Sequence, residues 1–300
     1  MEPVPTPNFF IVGAPKSGTT ALYSYLRQHP DIFMSKLKEP QFFAADICGE
    51  QRNVISISEY LTHFNDARTK VIGEASTCYL ASNRAAHDIR EFCPNARIIV
   101  MLRNPIDVMY AEHSERVFGG IEHIEKFATA LECSEVRKWR SGRFKGQDVV
   151  RVSYRELTKF SQQVKRFIDA FGPSNVHVLL YDDFAKNPTL TYKEVLAFLG
   201  VWPNHECAFD VVHPNRRIRS TMVQDLLRNP PKPSQELVRA VLPRTIRQRL
   251  GNYLNRSNIK FVARPVLDQN FRKQLESEYE SEVQQLSKLI GRDLSHWVNS

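Results

Sequence analysis

The sequence predicts an α/β fold, a parallel sheet flanked by helices. Three observations predict it. An apolar run, Phe9-Phe10-Ile11-Val12, passes through a Gly/Pro-rich loop into a helical pattern. A second run, Arg97 to Leu102, ends at Arg103-Asn104-Pro105, and Ile106 to Arg116 then reads helical. A third, Asn175 to Tyr181, is followed by Asp182-Asp183-Phe184 and a helix that Pro188 opens and Leu199 closes. Buried strands alternating with helices are the pattern of βαβ units.

Composition bounds the rest. The chain has 300 residues, enough for a sizeable core, and is read as one domain spanning 1–300. No run of about eighteen apolar residues exists, so no membrane-spanning helix is expected. Met1-Glu2-Pro3 has neither a basic n-region nor an apolar h-region. The five cysteines, Cys48, Cys78, Cys93, Cys133 and Cys207, form no C-x-x-C pair. They read as reduced thiols of a cytoplasmic protein rather than a disulfide frame or zinc site. The net charge of +8 favours an anionic ligand. The basic residues are spread along the chain without a recognition motif, so no nucleic-acid partner is expected.

The first strand leads into Gly13-Ala14-Pro15-Lys16-Ser17-Gly18, too rich in Gly and Pro to continue it. Thr19-Thr20 starts a helix, with Leu22, Tyr25, Leu26 and His29 at i, i+3, i+4 and i+7. Strand, tight glycine loop and helix form a phosphate cradle: unpaired N–H groups and the helix dipole point at one spot. Lys16 adds a full charge, and Ser17, Thr19 and Thr20 add hydroxyls around Gly18. A nucleotide-triphosphatase loop reads G-x-x-x-x-G-K-[ST]. Gly13 and Gly18 have that spacing, but Thr19 stands where the lysine belongs. That lysine and the hydroxyl after it serve the β- and γ-phosphates and Mg²⁺. A metal-dependent kinase or NTPase is thus the rival reading, and no convincing strand ends in a metal-binding Asp to support it.

His29-Pro30-Asp31 stops the helix. Ile32 to Met34 reads as a short extended piece, followed by Ser35-Lys36-Leu37-Lys38-Glu39-Pro40-Gln41-Phe42-Phe43. Pro40 disfavours helix at Glu39. The expected extended or turning segment could aim Glu39 into a site at the carboxyl ends of the strands. Two lysines flank it, and Phe42 and Phe43 can anchor it. A helix is expected around Ser58 to Phe64, and Val71 to Leu80 reads as a strand running into a turn. Glu156 to Phe171 reads as a helix stopped by Gly172-Pro173. His213 to Ser220 is a basic loop before a helix from Thr221 to Arg228. Asp268 to Ile290 is a helix with Phe271, Leu275, Tyr279, Val283, Leu286 and Ile290 on one face.

P-K-S-G-T-T resembles the 5′-phosphosulfate loop of sulfotransferases that use 3′-phosphoadenosine 5′-phosphosulfate (PAPS). With K-E-P-Q-F-F some twenty residues later, the chain resembles the heparan-sulfate type of that family and its bacterial relatives. The resemblance runs from Phe9 to about Leu199 and implies the P-loop-like sulfotransferase fold. It implies Glu39 as catalytic base, and Lys16 as the group that steadies the leaving phosphate. It also implies donor contacts from Lys16, Ser17, Gly18, Thr19, Thr20 and Arg103, with Arg103 on the 3′-phosphate. Some members carry His where this chain has Gln41. Gly73-Glu74-Ala75-Ser76-Thr77-Cys78-Tyr79-Leu80 resembles the family's G-E-x-S-x-x-Y-L element, which lies beside the acceptor; several glycan-modifying members have Lys at the position of Ala75. The family serine eight residues after the arginine is Ala111 here, with Ser114 one turn on. Tyr154 resembles the tyrosine preceding a family helix. A late basic loop closes over the donor in the family, making Arg216, Arg217 and Arg219 candidates, or else a solvated turn. His113 reads as a helix-face residue, and Asp182 and Asp183 as structural. The implied reaction moves a sulfuryl group from PAPS, without a metal, to a hydroxyl or amine of an acceptor, with an anionic or glycan acceptor suggested by the relatives. A noncatalytic nucleotide- or polyanion-binding protein is the other alternative.

Overall fold

The structure is a computed structural model that describes residues 4–138, 152–209, 216–218, 259–261 and 264–299. Five parallel strands make the main sheet: β1 (Phe9–Gly13), β2 (Ile32–Met34), β3 (Val71–Ala75), β4 (Arg97–Leu102) and β5 (Val176–Leu180), in the order β2-β3-β1-β4-β5. This is the α/β architecture the sequence predicts. Phe9 lies opposite both Gly73 and Arg97, which makes β1 the centre of the sheet.

Alternation along β1 and β4 explains why both read as unbroken apolar runs. Phe10, Val12, Ile98, Val100 and Leu102 enter one core, while Phe9, Ile11, Ile99 and Met101 enter another on the opposite face. The first core is closed by α3 (Ile57–Thr62), α4 (Ala85–Phe92), α5 (Pro105–Phe118), α6 (Phe127–Lys138), α7 (Phe160–Phe171) and α10 (Gln269–Ile290). The second is closed by α1 (Thr19–Leu26), α8 (Tyr181–Lys186) and α9 (Pro188–Leu199). The short α2 (Ala45–Cys48) precedes α3. On α10, Leu275, Tyr279, Val283 and Leu286 are buried at the expected i, i+4, i+8 and i+11 positions. Asp268 caps this helix by accepting from the Phe271 amide at 2.9 Å.

Several boundaries differ from the sequence reading for local reasons. Ser56 caps α3 by accepting from the Glu59 amide (3.2 Å), so the helix starts before Ser58. Glu156–Thr158 is a separate 3₁₀ turn before α7. Tyr181 opens α8 instead of ending β5. The basic segment is not simply a loop: Arg216–Ile218 forms β6, paired antiparallel with β7 (Ile259–Phe261). The expected helix from Thr221 to Arg228, and Arg219 itself, lie outside the described residues.

The chain divides into two compact units. The larger comprises Met1–Val117, Ile121–Val212 and Leu267–Ser300 and contains the parallel sheet. The smaller comprises Phe118–Gly120 and His213–Val266 and contains the β6–β7 ladder. Among the described residues, no helix is long and apolar enough to cross a membrane.

Candidate active site

Gly13 to Thr20 leaves the carboxyl end of β1 as a tight loop and enters α1, as the residue pattern requires. Gly18 sits at φ 93°, the left-handed region that favours glycine, at the N-cap of α1. A Cβ there would lie 3.3 Å from Met101, Tyr181 and Phe184 side chains, so the turn is closely packed beneath. No acidic side chain occupies the first turn of α1, which leaves its partial positive charge uncancelled from within the helix. Ser17 is fully buried and its hydroxyl donates to the Pro15 carbonyl (3.4 Å), within the loop itself. Thr19 is also buried, whereas Thr20 is half-buried.

Lys16 and Arg103 come from different βα units and meet here. An Arg103 guanidinium N–H donates to the Lys16 carbonyl at 3.5 Å. The same guanidinium lies 4.7 Å from the centre of the Tyr181 ring and 3.6 Å from Asp107. Asn104 fixes the turn that follows: its Oδ1 accepts from the Ile106 amide (2.9 Å) and its Nδ2 donates to the Trp297 carbonyl (2.7 Å). The Lys16 ammonium reaches Glu115 of α5 at 3.4 Å. Burial would raise the neighbouring Glu112 carboxyl, but the charges of Arg116 and Lys16 outweigh it and hold that group below its ordinary range. The α5 carboxylates facing the loop lysine carry no signal in a motif; they are visible only once α5 is placed.

Glu39 stands on the turning segment after β2, in left-handed backbone at φ 61°, as does Gln41 at φ 61°. The preceding-proline rule disfavours α but does not demand this geometry. Tertiary hydrogen bonds select it: the Glu39 amide donates to the Ala75 carbonyl (2.9 Å) and the Gln41 amide to Ser76 Oγ (3.0 Å). The Glu39 carboxylate accepts from the Thr77 amide (2.8 Å), the Thr77 hydroxyl (3.2 Å) and the Lys38 ammonium (2.7 Å). Only one of the two flanking lysines serves it; Lys36 pairs with Asp66 instead.

Thr77 also connects this carboxylate to the cradle. Its carbonyl oxygen lies 2.9 Å from where a Cβ of Gly13 would stand, and the Leu80 amide donates to the Val12 carbonyl (2.7 Å). The turn that grips Glu39 therefore packs on the first residue of the phosphate loop. Glu74 is fully buried on β3, where Tyr60 and Tyr79 hydroxyls donate to Oε2 at 2.5 and 3.2 Å.

His113, Ser114, Tyr154, Asp182 and Asp183 each have hydrogen-bond or ion-pair partners of their own. His113 is buried, hydrogen-bonded to the Ile124 carbonyl (2.8 Å) and packed against Phe127 and Tyr154. Ala111 is buried, and the Ser114 hydroxyl donates to the Tyr110 carbonyl of its own helix (2.9 Å). Tyr154 is buried and donates to Glu122 (3.2 Å). Asp182 and Asp183 bind the C-terminal segment: Asp182 accepts from the Trp297 indole (2.8 Å), and Asp183 pairs with Arg292 (2.8 Å). Arg217 lies on β6 in the smaller unit. Among the described residues, no group of three or more His, Cys, Asp or Glu is arranged to hold a metal ion.

The central strand of a parallel α/β sheet thus ends in a glycine-turned loop, with a held carboxylate beside it. The family model for the sulfotransferase domain matches residues 6–216, and the chain belongs to that family. Carbohydrate sulfotransferase 15 of Homo sapiens is 32% identical over 250 residues, covering 67% of this chain and 45% of that protein. The bifunctional heparan sulfate N-deacetylase/N-sulfotransferase 1 of Caenorhabditis briggsae is 24% identical over 205 residues, covering 65% of this chain and 22% of that protein. The chain thus spans less than half the length of these curated relatives. The crystal structure of a sulfotransferase from Alicyclobacillus acidocaldarius superposes with a TM-score of 0.72 at 26% identity, covering 98% of this chain and 99% of the other.

Proposed function

We propose that the chain, taken as one sulfotransferase domain over its 300 residues, transfers a sulfuryl group from PAPS to a hydroxyl or amine of a glycan acceptor. One observation carries the reading: Thr77 packs against the start of the phosphate loop while holding the Glu39 carboxylate. The residues suit the donor. A glycine-turned loop and an acid-free helix N-terminus accept a 5′-phosphate, and Lys16 and Arg103 supply two cations. PAPS when bound supplies an activated sulfuryl group on a phosphate leaving group.

Glu39 takes the proton from the acceptor oxygen or nitrogen as that atom's electron pair forms the new bond to sulfur. Lys16 and the loop amides neutralise the charge that returns to the leaving phosphate oxygen. Arg103 selects a nucleotide bearing a 3′-phosphate, and Ser17, Gly18, Thr19 and Thr20 hold the 5′ end. Arg217 is assigned to the same nucleotide on family resemblance. In this reading lysine does the neutralising and no metal is needed. The glycan assignment draws on the carbohydrate and heparan sulfate relatives. A cytoplasmic location belongs to the same proposal and rests on the five scattered cysteines, none of which forms a C-x-x-C pair.

Incubation with ³⁵S-labelled PAPS, chelator and a panel of desulfated glycosaminoglycans, simple sugars, alcohols and amines tests it. Label should pass to a saccharide without added Mg²⁺. Mg²⁺-dependent ATP turnover with no label transferred would establish the kinase or NTPase instead.

A further inference from the structure

We propose that Glu74 is a positioning residue for the base: with Tyr60 and Tyr79 it forms a buried clamp that holds the Glu39-to-Phe43 segment on the sheet. This rests on Glu39 being the base in the proposed reaction. A carboxyl group in the middle of a parallel sheet is costly, because burial strips its water. Glu74 has no exposed surface, and its Oε1 is buried without a hydrogen-bond partner. A leucine would fill the strand position more cheaply. What the carboxyl group provides is a single acceptor for two tyrosine hydroxyls from different elements, Tyr60 from α3 and Tyr79 from the turn after β3.

Those tyrosines are the surface on which the base segment lies. Phe42 stacks on the Tyr60 ring with centroids 4.8 Å apart, and Phe43 meets the rings of Tyr60 and Tyr79 edge-on at 5.5 and 5.8 Å. The Phe43 amide donates to the Tyr79 hydroxyl at 3.4 Å. The next residues of the same strand end complete the dock, since Ala75 and Ser76 accept from the Glu39 and Gln41 amides. Two of these docked residues have left-handed backbone, a conformation that non-glycine residues keep only when surroundings impose it. Glu74 therefore acts on Glu39 through tyrosines, phenylalanines and main chain, with no contact to the reacting atoms.

Amide hydrogen exchange reads the clamp without requiring an acceptor. In Glu74→Leu, the Glu39, Gln41 and Phe43 amides should exchange about tenfold faster or more, the size expected when a buried hydrogen bond is lost. The Ile11 and Val100 amides should keep their protection, and 3′,5′-ADP should bind as in the parent. Glu74→Gln retains an acceptor oxygen for both hydroxyls and should restore protection at all three positions, which general loss of packing would not. Tyr79→Phe, which keeps Glu74, should expose the Phe43 amide first and serves if the leucine variant does not fold. Parent-like protection of the segment in Tyr79→Phe and in any folded Glu74→Leu protein would overturn the clamp. So would loss of protection in Glu74→Gln equal to that in Glu74→Leu. Failure of the sulfotransferase reading appears elsewhere, in the label-transfer assay, and leaves the exchange result standing.

Discussion

Thr77 and Glu39 are joined twice: the Thr77 amide and hydroxyl donate to the Glu39 carboxylate at 2.8 and 3.2 Å. The pair fixes the direction of a carboxylate that carries only one lysine partner, Lys38. The orientation of the proposed base is thus set by a turn that itself packs on the phosphate loop.

The first prediction follows from that arrangement. Glu39→Gln preserves shape and can still accept from Thr77, but loses basicity. Turnover of any acceptor that scores in the panel should fall by about 10²–10⁴-fold, with 3′,5′-ADP affinity nearly intact. Lys16→Ala should damage both quantities, because Lys16 meets the donor in ground and transition states alike. Parent-like turnover in Glu39→Gln would remove Glu39 from the role.

The donor site yields a second. Calorimetry without Mg²⁺ should show tighter binding of 3′,5′-ADP than of 5′-AMP. Arg103→Ala should erase most of that preference, about 1.5–3 kcal/mol for one charge-assisted contact. Arg217→Ala should weaken 3′,5′-ADP as well. Equal affinities for the two nucleotides in the parent would refute the assignment of Arg103.

A third concerns the ion pair between the loop lysine and α5. Glu115 holds Lys16 at 3.4 Å, and both side chains are partly exposed, so the pair contributes little to stability, within about 1 kcal/mol. Glu115→Gln should leave thermal stability nearly unchanged and tighten 3′,5′-ADP binding several-fold, since Lys16 no longer exchanges one anion for another. Weaker binding would show that Glu115 orients Lys16 for the donor.

Glu74 gives a pH prediction whose sign is fixed. Burial, only partly offset by its hydroxyl partners, raises its carboxyl from 4.5 to about 7. The folded chain therefore binds a proton that the unfolded chain has released between those values. The associated stability is full below about pH 4.5 and is lost as pH rises through about 7. The shift corresponds to a few kcal/mol, on the order of 3. Denaturant titrations at several pH values should show this decline in the parent and not in Glu74→Gln. Identical pH profiles would place the carboxyl near its ordinary range.

Much of this was legible in the residues. Phe9–Gly13, Arg97–Leu102 and Pro188–Leu199 announce themselves through continuous apolar runs or proline punctuation, and the last helix runs to Ile290 as read. The loop lysine, Arg103 and Glu39 stand out because their chemistry is written locally. What escaped the sequence depends on partners far along the chain. The left-handed backbone of Glu39 is imposed by Ala75, and the role of Thr77 requires Gly13 beside it. Arg216–Ile218 is a strand only because Ile259–Phe261 pairs with it, and three basic-leaning residues carry no strand signal of their own. Ala85–Phe92 buries only Ala85, Ala86 and Ile89, so few large apolar residues mark it in the sequence.

The adjacency of β1 and β3 sets a length scale for the chemistry. The phosphate loop grows from β1, and Glu39 is fastened to the end of β3, its hydrogen-bonded neighbour. Neighbouring strands in a sheet lie roughly 4.8 Å apart wherever sheets occur. In the proposed reaction the sheet thus serves as a ruler between the sites for donor and proton.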